Sequence, residues 1–321
     1  MKKTLVLFLF LLAAGLSCSG QYERFLSYPI SGRLMLKQVV FPDARTGYAV
    51  GDSGLILKTT DRGDNWERQV SGTPLDLNCV YFVDTYNGYA AGNNSAFLKT
   101  TDGGQSWITL ATNSAADLNA VFFSDLYTGY AVGNNFILQT MDGGNTWSAY
   151  EGGGMTLYAV HFPVTDTGFI AGENGMVLKT NDGGITWQYW PTGISQTLLS
   201  LFFMDSRTGY AAGKSGLILK TTDGGRTWSV LPSGTQEYLY SIGFLDEQNG
   251  FASGENGTIL FTKDGWKTWM SQQSNSSNCI FSVIFTDLYN GMAVGNFGTL
   301  LRTIDGGSNW VSEFSRSSFD R

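Results

Sequence analysis

Apolar residues along this chain arrive in runs of four to six, each bounded by a turn containing glycine. No window sets apolar residues at i, i+3, i+4 and i+7 with charges between them, so the pattern predicts strands and no long helices. Four such runs follow one another and then the series begins again. Strand A is a Leu-x-x-Val-x-Phe-x-Asp run and strand B is Gly-Tyr-Ala-Val-Gly. Strand C is Ile-Leu-Lys-Thr, and strand D opens on the tryptophan of Asp-Gly-Gly-x-Thr-Trp. The stretch from Leu198 to Trp228 shows the whole unit. Between B and C stand Ser53-Gly54, Asn174-Gly175, Ser215-Gly216 and Asn256-Gly257, which are hairpin signals.

The closing tryptophans are Trp66, Trp107, Trp147, Trp187, Trp228, Trp269 and Trp310, at intervals of 41, 40, 40, 41, 41 and 41 residues. A period near 40 with four strands per unit points to an all-β fold, a seven-bladed β-propeller of four-stranded antiparallel blades. The blades are expected near 36–76, 77–117, 118–156, 157–197, 198–237, 238–278 and 279–321, in one propeller spanning 22–321. Residues 22 to 32 align with a strand D, as do 310 to 318. The N-terminal stretch is expected to join the last blade.

The repeated aspartates Asp61, Asp102, Asp142, Asp182, Asp223, Asp264 and Asp305 invite a catalytic or calcium-binding reading. Each box, however, offers a single carboxylate, where a calcium loop needs several oxygen ligands close together. Seven copies around a ring also make a poor single active site. The carboxylate is read as accepting backbone amides of its own turn, and the tryptophan as an anchor against the neighbouring blade. Two boxes depart: Asp61-Arg62-Gly63 has arginine in place of the first glycine, and Asp264-Gly265-Trp266 has tryptophan in place of the second. The strand-C lysines Lys58, Lys99, Lys179 and Lys220 are expected to lay their stems between blades and pair locally. His161, the only histidine, stands in a packing column with Val40, Tyr81, Phe122, Phe202, Gly243 and Ile284. A lone strand histidine supports neither a multi-histidine metal site nor a triad. No cofactor and no metal are expected. Cys79 fills a column of small residues, and Cys79 and Cys279 are expected to be unpaired, buried thiols.

Composition sharpens this only in part. Glycine is abundant (41 residues) and charge sparse (15%), as suits a turn-rich β protein. The formal charge is −7, and no basic stripe interleaved with aromatics is present, which argues against nucleic-acid binding. The start, M-K-K-T-L-V-L-F-L-F-L-L-A-A-G-L-S-C, has two lysines, an apolar run and small residues, which reads as a secretory signal over 1–17. Cys18 is then the expected lipidation site and first mature residue. The chain is expected to be exported to the periplasm, outer membrane or cell surface. Contact with the membrane would come only through that anchor.

Seven copies of T-x-D-G-G-x-T-W with G-Y-A-V-G upstream resemble the BNR, or Asp-box, repeat. More specifically the chain resembles the photosystem II stability/assembly factor family of propellers, over residues 36 to 310. That resemblance implies a non-enzymatic cell-envelope scaffold with an unidentified protein partner; the chain is expected to be a monomer. Two other readings stay open. Asp-boxes also occur in sialidases and some glucanases, so an exported glycoside hydrolase using Asp52, Glu173 or Glu255 is one. A glycan- or metal-binding module is the other. Function should sit where blades differ, on the face carrying the B–C and D–A loops. The first B–C residues are Asp52, Asn93, Asn134, Glu173, Lys214, Glu255 and Asn296; the D–A connections add Asp76, Asp117, Tyr150, Glu151, Trp190 and Glu237.

Overall fold

A computed structural model describes residues 34–112, 114 and 116–313. The leader, Cys18 and the stretch 22–32 lie outside the described residues. The first sheet is antiparallel, with β1 (Leu36–Val40), β2 (Gly47–Gly51), β3 (Ile56–Thr59) and β4 (Glu67–Gln69) in that order. The second repeats it with β5 (Leu77–Phe82), β6 (Gly88–Gly92), β7 (Phe97–Thr100) and β8 (Ile108–Thr109). Three more four-stranded sheets begin at Leu198, Leu239 and Ile280.

The third and fourth repeats depart from the pattern. Their strands β9 (Leu118–Phe123), β10 (Gly129–Thr140), β11 (Ser148–Val164), β12 (Thr167–Gly172), β13 (Met176–Thr180) and β14 (Gln188–Pro191) form one six-stranded sheet. The expected seven four-stranded blades are therefore corrected to six, five of four strands and one of six. The cause is length. Four residues separate Gly51 from Ile56 in the first B–C turn, but only three separate Gly133 from Ile137. The short helical turn found in the first, second, fourth and fifth repeats is absent there, so β10 runs on through it. The next D–A connection is also one residue short, and β11 passes from the outer strand of one repeat into the inner strand of the next. Asn134 of β10 pairs with Thr156 of β11 across this join.

Seven inner strand segments still surround the axis, because the fused sheet supplies two. The ring closes where β1 meets the innermost strand of the last sheet, Ile280–Phe285, with Val39 N donating to Ser282 Oγ at 3.3 Å. The outer strand of that last sheet is Val311–Ser312, which pairs with Leu301 and Arg302. A C-terminal strand thus occupies the place expected for the N-terminal stretch.

The core lies between sheets. Tyr48, Val50 and Ile56 of the first repeat pack with Leu77, Val80, Leu98 and Trp107 of the second. Tyr48 stacks on Phe82 with centroids 4.0 Å apart, and Phe82 meets Trp107 edge-on at 6.1 Å. Tyr89–Phe123–Trp147 and Tyr130–Phe162–Trp187 repeat this triple. Each such pair contributes about 0.5–1.5 kcal/mol beyond its burial. The glycine before each strand-B tyrosine keeps the ring seated: a Cβ on Gly88 would lie 2.5 Å from the Phe82 ring.

The box joins the sheets. In the fifth repeat, Asp223 Oδ1 accepts from Thr227 N at 2.9 Å and Thr221 Oγ1 at 2.9 Å, while Oδ2 accepts from Thr227 Oγ1 at 2.7 Å. This knot presents the first glycine's carbonyl to the preceding repeat. Gly103 O accepts from Tyr48 OH at 2.7 Å and Lys58 Nζ at 2.6 Å. Gly143 O likewise accepts from Tyr89 and Lys99, Gly183 O from Tyr130 and Gln139, and Gly224 O from Lys179. The expected local pairing of the strand-C lysines takes this form for Lys58, Lys99 and Lys179. Lys220 lies 5.4 Å from the Tyr210 ring centroid, and Trp266 occupies the space beside that tyrosine. At the seam between last and first repeats, Met292 replaces the tyrosine and Arg302 pairs with Asp64.

Two outcomes follow from this packing. Tyr48→Phe, which loses one neutral hydrogen bond, should cost about 1 kcal/mol in urea unfolding. Tyr48→Ala, which also empties the stack, should cost about 3–5 kcal/mol. Equal losses would remove the stack from the account. The second outcome concerns acid. Hydrogen bonds from the residue four places on hold Asp102, Asp142, Asp182, Asp223 and Asp264 at about 2, below the ordinary 3.8. Because the folded value is the lower one, this stabilisation is complete above about pH 4 and is lost as pH falls through 2. Melting temperature should therefore hold between pH 7 and 5 and fall below 4, with a smaller acid-range drop in Asp223→Asn.

Candidate functional site

The seven inner segments enclose an axial cavity of about 700 Å³. Its mouth lies beside the B–C turns, because each inner strand starts opposite the end of strand B, as in the Leu36–Gly51 and Leu239–Gly254 pairs. The second residue of each inner strand forms the wall there: Lys37, Asn78, Asn119, Tyr158, Leu199, Tyr240 and Phe281. Three consecutive repeats supply a polar arc and the other four an arc rich in aromatics.

In the polar arc the side chains satisfy one another. Lys37 Nζ donates to Asn78 Oδ1 at 2.9 Å and lies 3.2 Å from Asp52 and 3.6 Å from Asp76. Asn78 Nδ2 donates to Asn93 Oδ1 and to Leu118 O, both at 2.8 Å, and Asn119 Nδ2 to Leu157 O at 2.8 Å. In the other arc Tyr240 OH donates to Glu255 Oε1 at 3.2 Å, and Tyr240 meets Phe281 edge-on at 5.2 Å. Burial and then the charge of Glu255 raise the Tyr240 hydroxyl above its ordinary range, so it stays a donor. Tyr158 is raised in the same sense by burial and then by Glu173.

Deeper in, Tyr81, Phe122, His161 and Phe202 line the same cavity. His161 lies between Phe122 and Phe202, with centroids at 5.5 and 5.0 Å, and its Nδ1 accepts from Phe203 N at 3.3 Å. Burial pushes its pKa down to about 4, so the ring is neutral at pH 7 and serves as a packed acceptor. Among the described residues no cluster of three His, Cys, Asp or Glu side chains is arranged to hold a metal ion.

The rim residues named from sequence also tie their turns to the segment that leads into the inner strand. Asp52 accepts from Met35 N at 3.1 Å, Glu173 from Thr156 N at 3.0 Å and Glu255 from Tyr238 N at 3.3 Å. Asn93 and Asn134 donate to Asp76 and Asp117, both at 3.3 Å. Asn296 N donates to Cys279 O, and Lys214 Nζ lies 5.6 Å from the Tyr238 ring centroid. Trp190 is placed elsewhere: it belongs to outer strand β14, opposite Val177, with Lys179 Nζ 4.4 Å from its ring centroid. Tyr150 and Glu151 are likewise within β11. None of the seven wall residues stands among the sequence candidates, although each lies fifteen positions before one of them.

A family model described as "Photosynthesis system II assembly factor YCF48" matches residues 24–110, 68–151, 152–237 and 231–316, most of the chain. The chain belongs to that family. No curated protein sequence matches it significantly. Among solved structures, YCF48 from Cyanidioschyzon merolae superposes with TM-score 0.71 at 19% identity, covering 86% of this chain and 97% of that one. A structure of YCF48 bound to D1 peptide gives 0.71 at 20% identity, with 85% and 94% covered. The GH74 xyloglucanase from Xanthomonas campestris gives 0.72 at 13% identity, covering 89% of this chain but 55% of the enzyme. At these identities the likeness is one of fold.

The two cysteines among the described residues of this family member are free, but only Cys79 is buried as expected; Cys279 is half-buried. Cys279 directly precedes the last inner strand, at the rim rather than in the wall. Burial pushes the Cys79 thiol up to about 12, and its Sγ lies 3.5 Å from Ala91 O. Iodoacetamide treatment of the native mature protein, followed by peptide mapping, should label Cys279 and spare Cys79. Equal labelling would mean that the inner wall opens on the timescale of the reaction.

Proposed function

We propose that this chain is a non-enzymatic, protein-binding propeller of the cell envelope that takes a segment of its client at the axial mouth. The observation that carries this reading is the mouth itself. A cavity of about 700 Å³ with convergent polar groups and aromatic walls sits where the wall residue changes from repeat to repeat. Membership of the YCF48 family supports a protein partner, as does the existence of a relative solved with a bound peptide. The envelope is supported by the secretory-type start and Cys18. A binding role also suits the acidic rim, because Asp52, Glu173 and Glu255 each accept the backbone amide just before the inner strand of their own repeat. A general acid or base must instead be free to move a proton at the substrate.

The test uses a photo-crosslinking residue at Phe281, with the exposed Val70, just past outer strand β4, as the control position, followed by purification from native membranes. One recurrent protein adduct from Phe281 and none from Val70 is the expected result. Absence of any protein adduct would sink the proposal. Cleavage of xyloglucan or a chromogenic sugar, abolished by Glu173→Gln or Glu255→Gln, would put a hydrolase in its place.

A further inference from the structure

The two arcs of the mouth differ in what they leave unsatisfied. Lys37 is already engaged by Asn78, Asp52 and Asp76, so the one wall cation of the polar arc is held by that arc's own side chains. Opposite it, Glu173, Glu237 and Glu255 have no ion-pair partner among the described residues. One cation of the chain, Lys214, belongs to the repeat between Glu173 and Glu255, yet it lies over the Tyr238 ring and forms no ion pair among the described residues. The half-buried side chains of Tyr158, Tyr240 and Phe281 line the cavity: Tyr240 donates to Glu255, Tyr158 feels the charge of Glu173, and Phe281 packs edge-on against Tyr240.

We propose that this arc receives a cationic side chain, lysine or arginine, from the client segment, held between Tyr158, Tyr240 and Phe281 and countered by Glu173 and Glu255. The proposal rests on the reading of the mouth as the client site. Aromatic faces attract a cation through their quadrupole, and the attraction grows as water is excluded. An anionic group entering here meets two carboxylates of its own sign. A purely apolar side chain would strip water from those carboxylates and give them no partner in return. A cation satisfies both surfaces together. The cavity, about 700 Å³, is also much larger than one side chain, which leaves room for flanking residues of the client along the polar arc.

A random peptide display library panned against the full mature protein tests this. Selected peptides should share a lysine or arginine, bind less tightly as salt rises, and depend on Phe281. Replacing the shared cation by norleucine, or introducing Glu173→Gln with Glu255→Gln, should weaken them roughly tenfold or more, since hydrogen bonds to charged groups are worth about that much. Glutamine keeps a carbonyl oxygen for the Thr156 and Tyr238 amides, and an unchanged melting temperature confirms the fold. Lys214→Met should tighten the same peptides. If peptides bind at the mouth without a shared cation, or the double variant binds them unchanged, the cation proposal falls and the client site stands. If no selected peptide depends on Phe281, the client site falls with it.

Discussion

The hydrogen bond on which the ring most depends ends at the first glycine carbonyl of a box. A box is a closed knot of hydroxyl, carboxylate and amide, and by itself it stabilises only a turn. Its effect on the fold comes from holding one carbonyl still, aimed at the preceding repeat, where a tyrosine hydroxyl and a lysine or glutamine meet it. The aromatic triple beneath then has a fixed spacing in which to stack. Where the partner residues change, the junction changes chemistry but still forms. Trp266 fills one with its ring, Gln272 Nε2 donates to Gly306 O in another, and Arg302 with Asp64 closes the ring at the seam. A circle of similar units needs every junction to hold, because one open joint exposes two apolar sheet faces.

That division of labour leaves the opposite face free to vary. The box end is occupied with joining sheets, so its seven carboxylates have little capacity for chemistry. At the other end, the wall residue of each inner strand points into the axis and is bound by no repeat-wide contact. Lysine, asparagine, tyrosine, leucine and phenylalanine all occur there. The rigid ring converts this freedom into a defined chemical surface, polar on one side and aromatic on the other. The same scaffold superposes on YCF48 and on a xyloglucanase with nearly equal scores. The fold therefore does not decide between binding and hydrolysis, and the side chains at the mouth must.

Much of this was legible in the chain of letters, and the misreadings have physical causes. The period, the four strands per unit, the structural role of the boxes and the packing role of His161 follow from local patterns that recur. The two 40-residue intervals also carried a message. They mark the shortened B–C turn and the shortened D–A connection that let β10 and β11 run on and fuse two repeats into one sheet. Trp190 reads as a D–A loop residue from sequence, yet Lys179 and the pairing with Val177 hold it in an outer strand.

By itself the sequence determined the repeat, the strands and the turn chemistry, since each depends on residues within about forty positions of one another. It also contained the fifteen-residue offset between wall and rim, which is a strand register and so is local. Only the tertiary structure decided which end of the chain completes the last sheet and how Arg302 reaches Asp64 across 238 positions. It likewise gathered seven separate second residues into one wall, with its polar and aromatic halves facing each other. Those features depend on where the ring brings distant segments together, and no periodicity along a chain specifies a distance across a circle.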